Sequence, residues 1–96
     1  MSGSNTQSLG EVIKALLKTY KLETGLKNNQ VISAWEKIVG TMISRHTKSL
    51  AVNNKVLFVK LDSPALIHEL SYAKTKIVDS LNKEVGEEVI EEVRFY

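Results

Sequence analysis

The chain has 96 residues, enough for one domain and too few for a second hydrophobic core. Its 43% hydrophobic and 25% charged residues suit a globular protein, and its net charge of +2 conceals a split: residues 1–60 carry +6 and residues 61–96 carry −4. It has no cysteine and so no disulfide or thiolate metal site, no apolar run near the roughly 18 residues of a membrane span, and no apolar centre in its polar start, which leaves the cytoplasm as the default address.

Residues 1–7 read as a disordered leader and residues 8–96 as a single domain. Ser8-Leu9-Gly10-Glu11 has capping-box spacing, hydroxyl and carboxylate each satisfying a free backbone N–H. Leu9, Val12, Ile13, Leu16, Leu17 and Tyr20 then recur at helical intervals, with Lys14, Lys18 and Lys21 on the opposite face. Gly25 is expected to break this helix. A second helix is expected to start at Asn28 or Asn29 and to carry Val31, Ile32, Trp35, Ile38 and Val39, with Met42 and Ile43 in one further turn beyond Gly40.

From Thr47 the period changes. Segments 48–52 and 56–61 are β-rich, and Asn53-Asn54 is expected to form the tight turn between them. In the second strand Leu57, Val59 and Leu61 point one way, and Val56, Phe58 and Lys60 the other. Ser63-Pro64 starts a helix with a capping hydroxyl and a proline at its first position. Its stripe of Leu66, Leu70, Ile77 and Leu81, widened by Ile67, Ala73 and Val78, predicts one helix over about 64–84, ended by Gly86. Residues 88–96 alternate as a last strand, with Val89, Val93 and Phe95 on the face of Glu91. The expected fold is α+β in the order α-α-β-β-α-β, a three-stranded sheet with helices packed on one face.

The run Ala34-Trp35-Glu36-Lys37-Ile38-Val39-Gly40, then His46-Thr47, resembles the W-x-x-(I/V)-(V/A)-G…H-T signature of the DciA-like family. The match continues through Leu57-Phe58-Val59, Asp62-Ser63-Pro64-Ala65, Glu69-Leu70 and Leu81-Asn82…Gly86, and covers about residues 8–95. The resemblance implies a KH-like fold, DNA binding and a role at the bacterial replicative helicase, as its loader or operator. Longer family members carry an extension after this domain, so a chain stopping at Tyr96 reads as a short form. Gly40-Thr41-Met42-Ile43 does not supply the second glycine of the G-x-x-G clamp by which KH domains grip nucleotides.

Arg45, Thr47, Lys48, Lys55 and Lys60 are the phosphate-binding candidates. Affinity for a phosphate backbone comes from releasing counterions as several cations on one surface neutralise it, and Thr47 would add a hydrogen bond. Lys14, Lys18 and Lys21 would extend the patch, and six neutralised phosphates would give a salt slope on the order of −4 to −5. The competing reading is a solubilising face. Val56, Phe58, Lys60, Arg94 and Tyr96 offer a second surface if no helix covers them. Phe58 would stack on bases, the device of single-strand platforms. The same face would equally serve as a homodimer contact or as a rim of the core.

Trp35 falls within an apolar stripe and reads as core. His46 and His68 lack a second ligand at metal spacing and read as surface or capping histidines. The run Glu84, Glu87, Glu88, Glu91 and Glu92 reads as a solvated end or a contact for a basic partner. No nucleophile elbow, phosphate-binding glycine loop or metal-loop cluster occurs, so neither catalysis nor a cofactor is indicated. The reading is a non-enzymatic module binding single-stranded or forked DNA, or RNA, which the family resemblance ties to replicative helicase loading. Its alternative is a protein-interaction module, homodimeric or docking a partner, with little nucleic-acid affinity of its own.

Overall fold

From Leu9 to Val39 the backbone is one unbroken helix, α1, in the computed structural model, which describes the backbone of residues 9–96 and the side chains of residues 11–12 and 24–96. The expected leader and the Ser8 capping box lie outside the described residues. So do the side chains of Leu9, Ile13, Leu16, Leu17 and Tyr20, and of Lys14, Lys18 and Lys21. Gly25 does not break the helix as expected. A glycine within a helix costs about 1 kcal/mol relative to alanine, less than the backbone bonds a break would forfeit. Helix formers flank it, and its Cα faces open space.

What ends α1 is Gly40, whose φ of 93° and ψ of 167° belong to a region that only glycine occupies readily. The chain turns there into the short helix α2, Thr41–Arg45, which contains the expected extra turn at Met42 and Ile43. Strands β1 (Thr47–Asn53) and β2 (Val56–Leu61) follow as an antiparallel hairpin. Its turn falls one residue later than expected, on Asn54 and Lys55, with φ of 50° and 64°. Two positive φ values are the mark of the type I′ turn that matches strand twist. The shift follows from register. Pairing Val52 with Leu57 and Leu50 with Val59 sets apolar side chains side by side on the core face, and a slip of one residue would split them between faces.

The Ser63 hydroxyl accepts from the Leu66 N–H at 3.3 Å and caps α3 (Pro64–Leu70), as the Ser-Pro pair predicts. The single helix expected over 64–84 is divided. A 3-10 turn at Ser71–Ala73 separates α3 from α4 (Lys74–Val85). Ser71 turns its hydroxyl back onto the His68 carbonyl, a local bond that competes with the helix ladder, and Ala73 leaves helical geometry at φ −115° and ψ 15°. The stripe survives the break, with Leu70, Ile77, Val78 and Leu81 all buried.

Gly86, at φ 95°, closes α4 in the left-handed conformation. Only Glu92–Phe95 of the expected last strand forms β3, which pairs in parallel with β2. Val89 and Ile90 are buried before it without strand pairing. Asn82 holds them: its Oδ1 accepts from the N–H groups of Val89 (3.0 Å) and Ile90 (3.1 Å), and its Nδ2 donates to the Ile90 carbonyl (2.8 Å).

The sheet order is β1-β2-β3 and the architecture is α+β, compatible with a KH-like fold. Helices lie on one face only. Val31, Ala34 and Trp35 of α1 and Ile77, Val78 and Leu81 of α4 meet Leu57, Val59, Leu61 and Val93 of the sheet. Burying each large apolar side chain contributes about 1.5–3 kcal/mol. Trp35 is core, as its place in the stripe predicts, and its ring centroid lies 6.3 Å from that of Phe95.

Candidate nucleic-acid interface

The indole of Trp35 organises the start of β1. Its Nε1–H donates to Thr47 Oγ1 at 3.0 Å, and that hydroxyl donates its one proton to the Ile43 carbonyl at 2.8 Å. One oxygen thereby ties α1, α2 and β1 together. The residues around it, Arg45, His46 and Lys48, are exposed. Thr47 is half-buried with its proton already committed, so it fixes the edge of the patch and has no proton left for a phosphate.

Next to it β1 bulges. Thr47 pairs with Leu61 and Ser49 with Lys60, so Lys48 is the extra residue. Asp62 lies just beyond. One of its oxygens is 2.7 Å from His46 Nδ1, the other 3.2 Å from Lys48 Nζ. An ionised carboxylate only accepts, so His46 carries its proton on Nδ1. The His46 hydrogen bond, then Lys48, hold the Asp62 carboxyl below its ordinary value. Asp62 is the group that the sequence reading missed. The signal lay in the hairpin register, which sets the residue after Leu61 beside the residues around Thr47.

The four candidate cations and the Thr47 hydroxyl do not form one cluster. Arg45, Thr47, Lys48 and Lys60 share the end of the hairpin nearest α2, Lys60 being paired with Ser49. Lys55 is at the turn, five residues from Lys60 along β2 or about 17 Å, and its ammonium lies 3.7 Å from Glu91. Arg45 and Lys60 have no carboxylate partner among the described residues.

The sheet face opposite the helices is open. Val56 and Phe58 are half-buried there, and Lys60, Arg94 and Tyr96 are exposed. The Arg94 guanidinium carbon lies 5.9 Å from the Phe58 ring centroid, and Arg94 Nε donates to Glu92 at 2.7 Å. That bond holds the Glu92 carboxyl below its ordinary value and raises Arg94 above its own. Ser49 and Ala51 of β1 keep the neighbouring surface low. The arrangement is an aromatic face with cations around it.

Among the described residues the charge split along the sequence does not become two separate poles. Lys27 pairs with Glu87 at 3.0 Å and Lys37 with Glu84 at 2.7 Å, so the acidic run serves lysines of its own chain, as Glu91 does for Lys55. Among the described residues no group of three or more metal-ligating side chains occurs, and no helix is long and apolar enough to cross a membrane. His68 stands edge-on to Tyr72 at 5.2 Å on the exposed side of α3.

A family model described as "Dna[CI] antecedent, DciA" matches residues 8–95. The chain belongs to the DciA family. It is similar to a UPF0232 protein of Corynebacterium glutamicum (strain R), 29% identical over 90 residues, which cover 94% of this chain and 51% of that protein. A UPF0232 protein of Mycobacterium tuberculosis (strain H37Rv) is 25% identical over 88 residues, 92% of this chain and 47% of its own length. A third, of Mycolicibacterium smegmatis, is 29% identical over 84 residues, covering 88% and 43%. The chain thus spans about half the length of these relatives. The family resemblance read from Trp35, Gly40 and His46-Thr47 is correct.

Proposed function

We propose that this DciA-family domain binds single-stranded or forked nucleic acid in the cytoplasm, as a non-enzymatic module that supports loading of the replicative helicase. The observation that carries the reading is an uncovered sheet face on which Lys60, without a carboxylate partner among the described residues, stands with Phe58 and Arg94. Arg45, likewise without one, lies at the end of α2 just before β1. Arg45, Lys48 and Lys60 take phosphates. Phe58 offers a ring for stacking, worth about 1–3 kcal/mol per base. Lys55 is a distal contact that must first give up Glu91. Thr47 sets the position of the strand from which Lys48 projects.

Titration of labelled single-stranded DNA, duplex DNA and RNA, followed by fluorescence anisotropy at two salt concentrations, tests this. Three to four neutralised phosphates on a single strand give a slope of about −2 to −3 in log K against log salt. Absence of binding to all three at low salt would sink the nucleic-acid reading. Lys48 and Lys55 are each paired with a carboxylate, which favours the second reading, a module that docks a protein partner. A pulldown of replicative helicase by the Lys48→Glu/Lys60→Glu variant separates the two: helicase contact without DNA binding places them on different surfaces.

A further inference from the structure

Strand β1 is an edge of the sheet, and its backbone directions follow from the bonds made by β2. The Val59 carbonyl accepts from Tyr96 N–H at 3.1 Å, and Leu61 N–H donates to the Tyr96 carbonyl at 2.9 Å. Those residues of β2 therefore face β3. Alternation turns Phe58 and Lys60 toward β1, where they pair with Ala51 and Ser49. Leu50 and Val52 are left with N–H and C=O pointing away from the sheet. Neither has a hydrogen-bond partner on that side among the described residues.

Sheet edges of this kind are ordinarily blunted by shortness, charge, proline or a bulge. The opposite edge, β3, has four residues and carries Glu92 and Arg94. β1 has seven, and its bulge and its one charge, Lys48, both sit at the α2 end. From Ser49 to Asn53 the strand has no charge, no proline and no irregularity. It is also self-complementary. In an antiparallel pair centred on Ala51, Leu50 falls opposite Val52 of a second copy and Ser49 opposite Asn53, so the pairing stays clear of the bulge at Lys48. No like charges oppose, and the outward groups of both Leu50 and Val52 find partners.

We infer that the β1 edge takes a second copy of this chain, joining two three-stranded sheets into one six-stranded sheet on a two-fold axis at Ala51. The dimer is weak, since one strand pair buries little surface. It sets two open faces, each with Phe58, Lys60 and Arg94, side by side. The inference does not depend on nucleic-acid binding and would stand if that reading failed.

Sedimentation of the full chain over a range of concentrations tests it, with a reversible monomer–dimer equilibrium expected. Val52→Pro removes an outward N–H without touching a bond to β2, and edge strands tolerate proline. It deletes one bond from each copy and is expected to weaken dimerisation about tenfold or more. Because the chain has no native cysteine, Ser49→Cys and Asn53→Cys supply a second measurement that leaves the backbone intact. Mixed, the two variants are expected to form a disulfide-linked heterodimer in preference to either self-linked species. A monomer at every concentration up to the millimolar range overturns the inference. So does a dimer unweakened in folded Val52→Pro, or cross-linking with no preference for the mixed pair.

Discussion

Thr47 shows how one side chain serves two bonds at once. Its oxygen accepts from the buried indole of Trp35 and gives its proton to Ile43. Valine has nearly the same shape and can do neither, so Thr47→Val strands the indole N–H. A cost of about 1–3 kcal/mol is expected in urea unfolding, with Thr47→Ser close to the wild type. Nucleic-acid affinity of the folded Thr47→Val protein should be unchanged. A selective drop in binding at full stability would return the hydroxyl to the phosphate site. Asp62 makes a pH-dependent contribution whose sign is fixed by its lowered folded-state pKa. A depressed carboxyl stabilises the fold above its unfolded-state value, and the contribution disappears as pH falls through the folded-state value. Melting of the wild type and Asp62→Asn should therefore differ at neutral pH and converge in acid. The gap is small, because the pair with His46 and Lys48 is exposed. A gap that did not close in acid would assign the effect to something other than the charge of Asp62.

Among the elements, α1 gives the clearest test. Gly25 lies inside a continuous helix, and a Cβ there would meet nothing within 4 Å. Gly25→Ala should stabilise the protein by about 0.5–1 kcal/mol and raise helical circular dichroism. Destabilisation would mean that the helix is interrupted at Gly25 after all. The expected break there came from weighing one residue's propensity without the ladder on either side. Elsewhere local signals sufficed: Ser63-Pro64 marked the start of α3, and the alternation of Leu57, Val59 and Leu61 marked the core face of β2. The hairpin turn required cross-strand information, since Asn53 and Asn54 are equally good turn residues and only the partners of Leu50 and Val52 decide between them. The end of α4 was legible in Gly86. The buried Val89-Ile90 segment was not, because Asn82, seven and eight residues earlier, holds it through side-chain bonds that no periodicity reveals.

At the scale of the whole molecule, the question is which cations remain available once the chain has paired its own charges. The +6/−4 split suggested a basic pole, but Lys27, Lys37 and Lys55 meet Glu87, Glu84 and Glu91 across the fold. Long-range ion pairs of this kind are invisible to a count along the sequence. They predict unequal effects for two lysines that the sequence treats alike. Lys60 has no carboxylate partner among the described residues and stands on the open face with Phe58. Lys55 sits at the far end of the same strand, already 3.7 Å from Glu91. Lys60→Glu should sharply weaken binding to single-stranded DNA and flatten the salt dependence by about 0.7 for each phosphate no longer neutralised. Lys55→Glu should weaken binding much less, because Lys55 lies at the distal turn and must first give up Glu91, 3.7 Å away. Equal weakening in the two variants would mean that the strand of nucleic acid runs the full length of β2, and the Lys55–Glu91 pair would then be one that opens on binding.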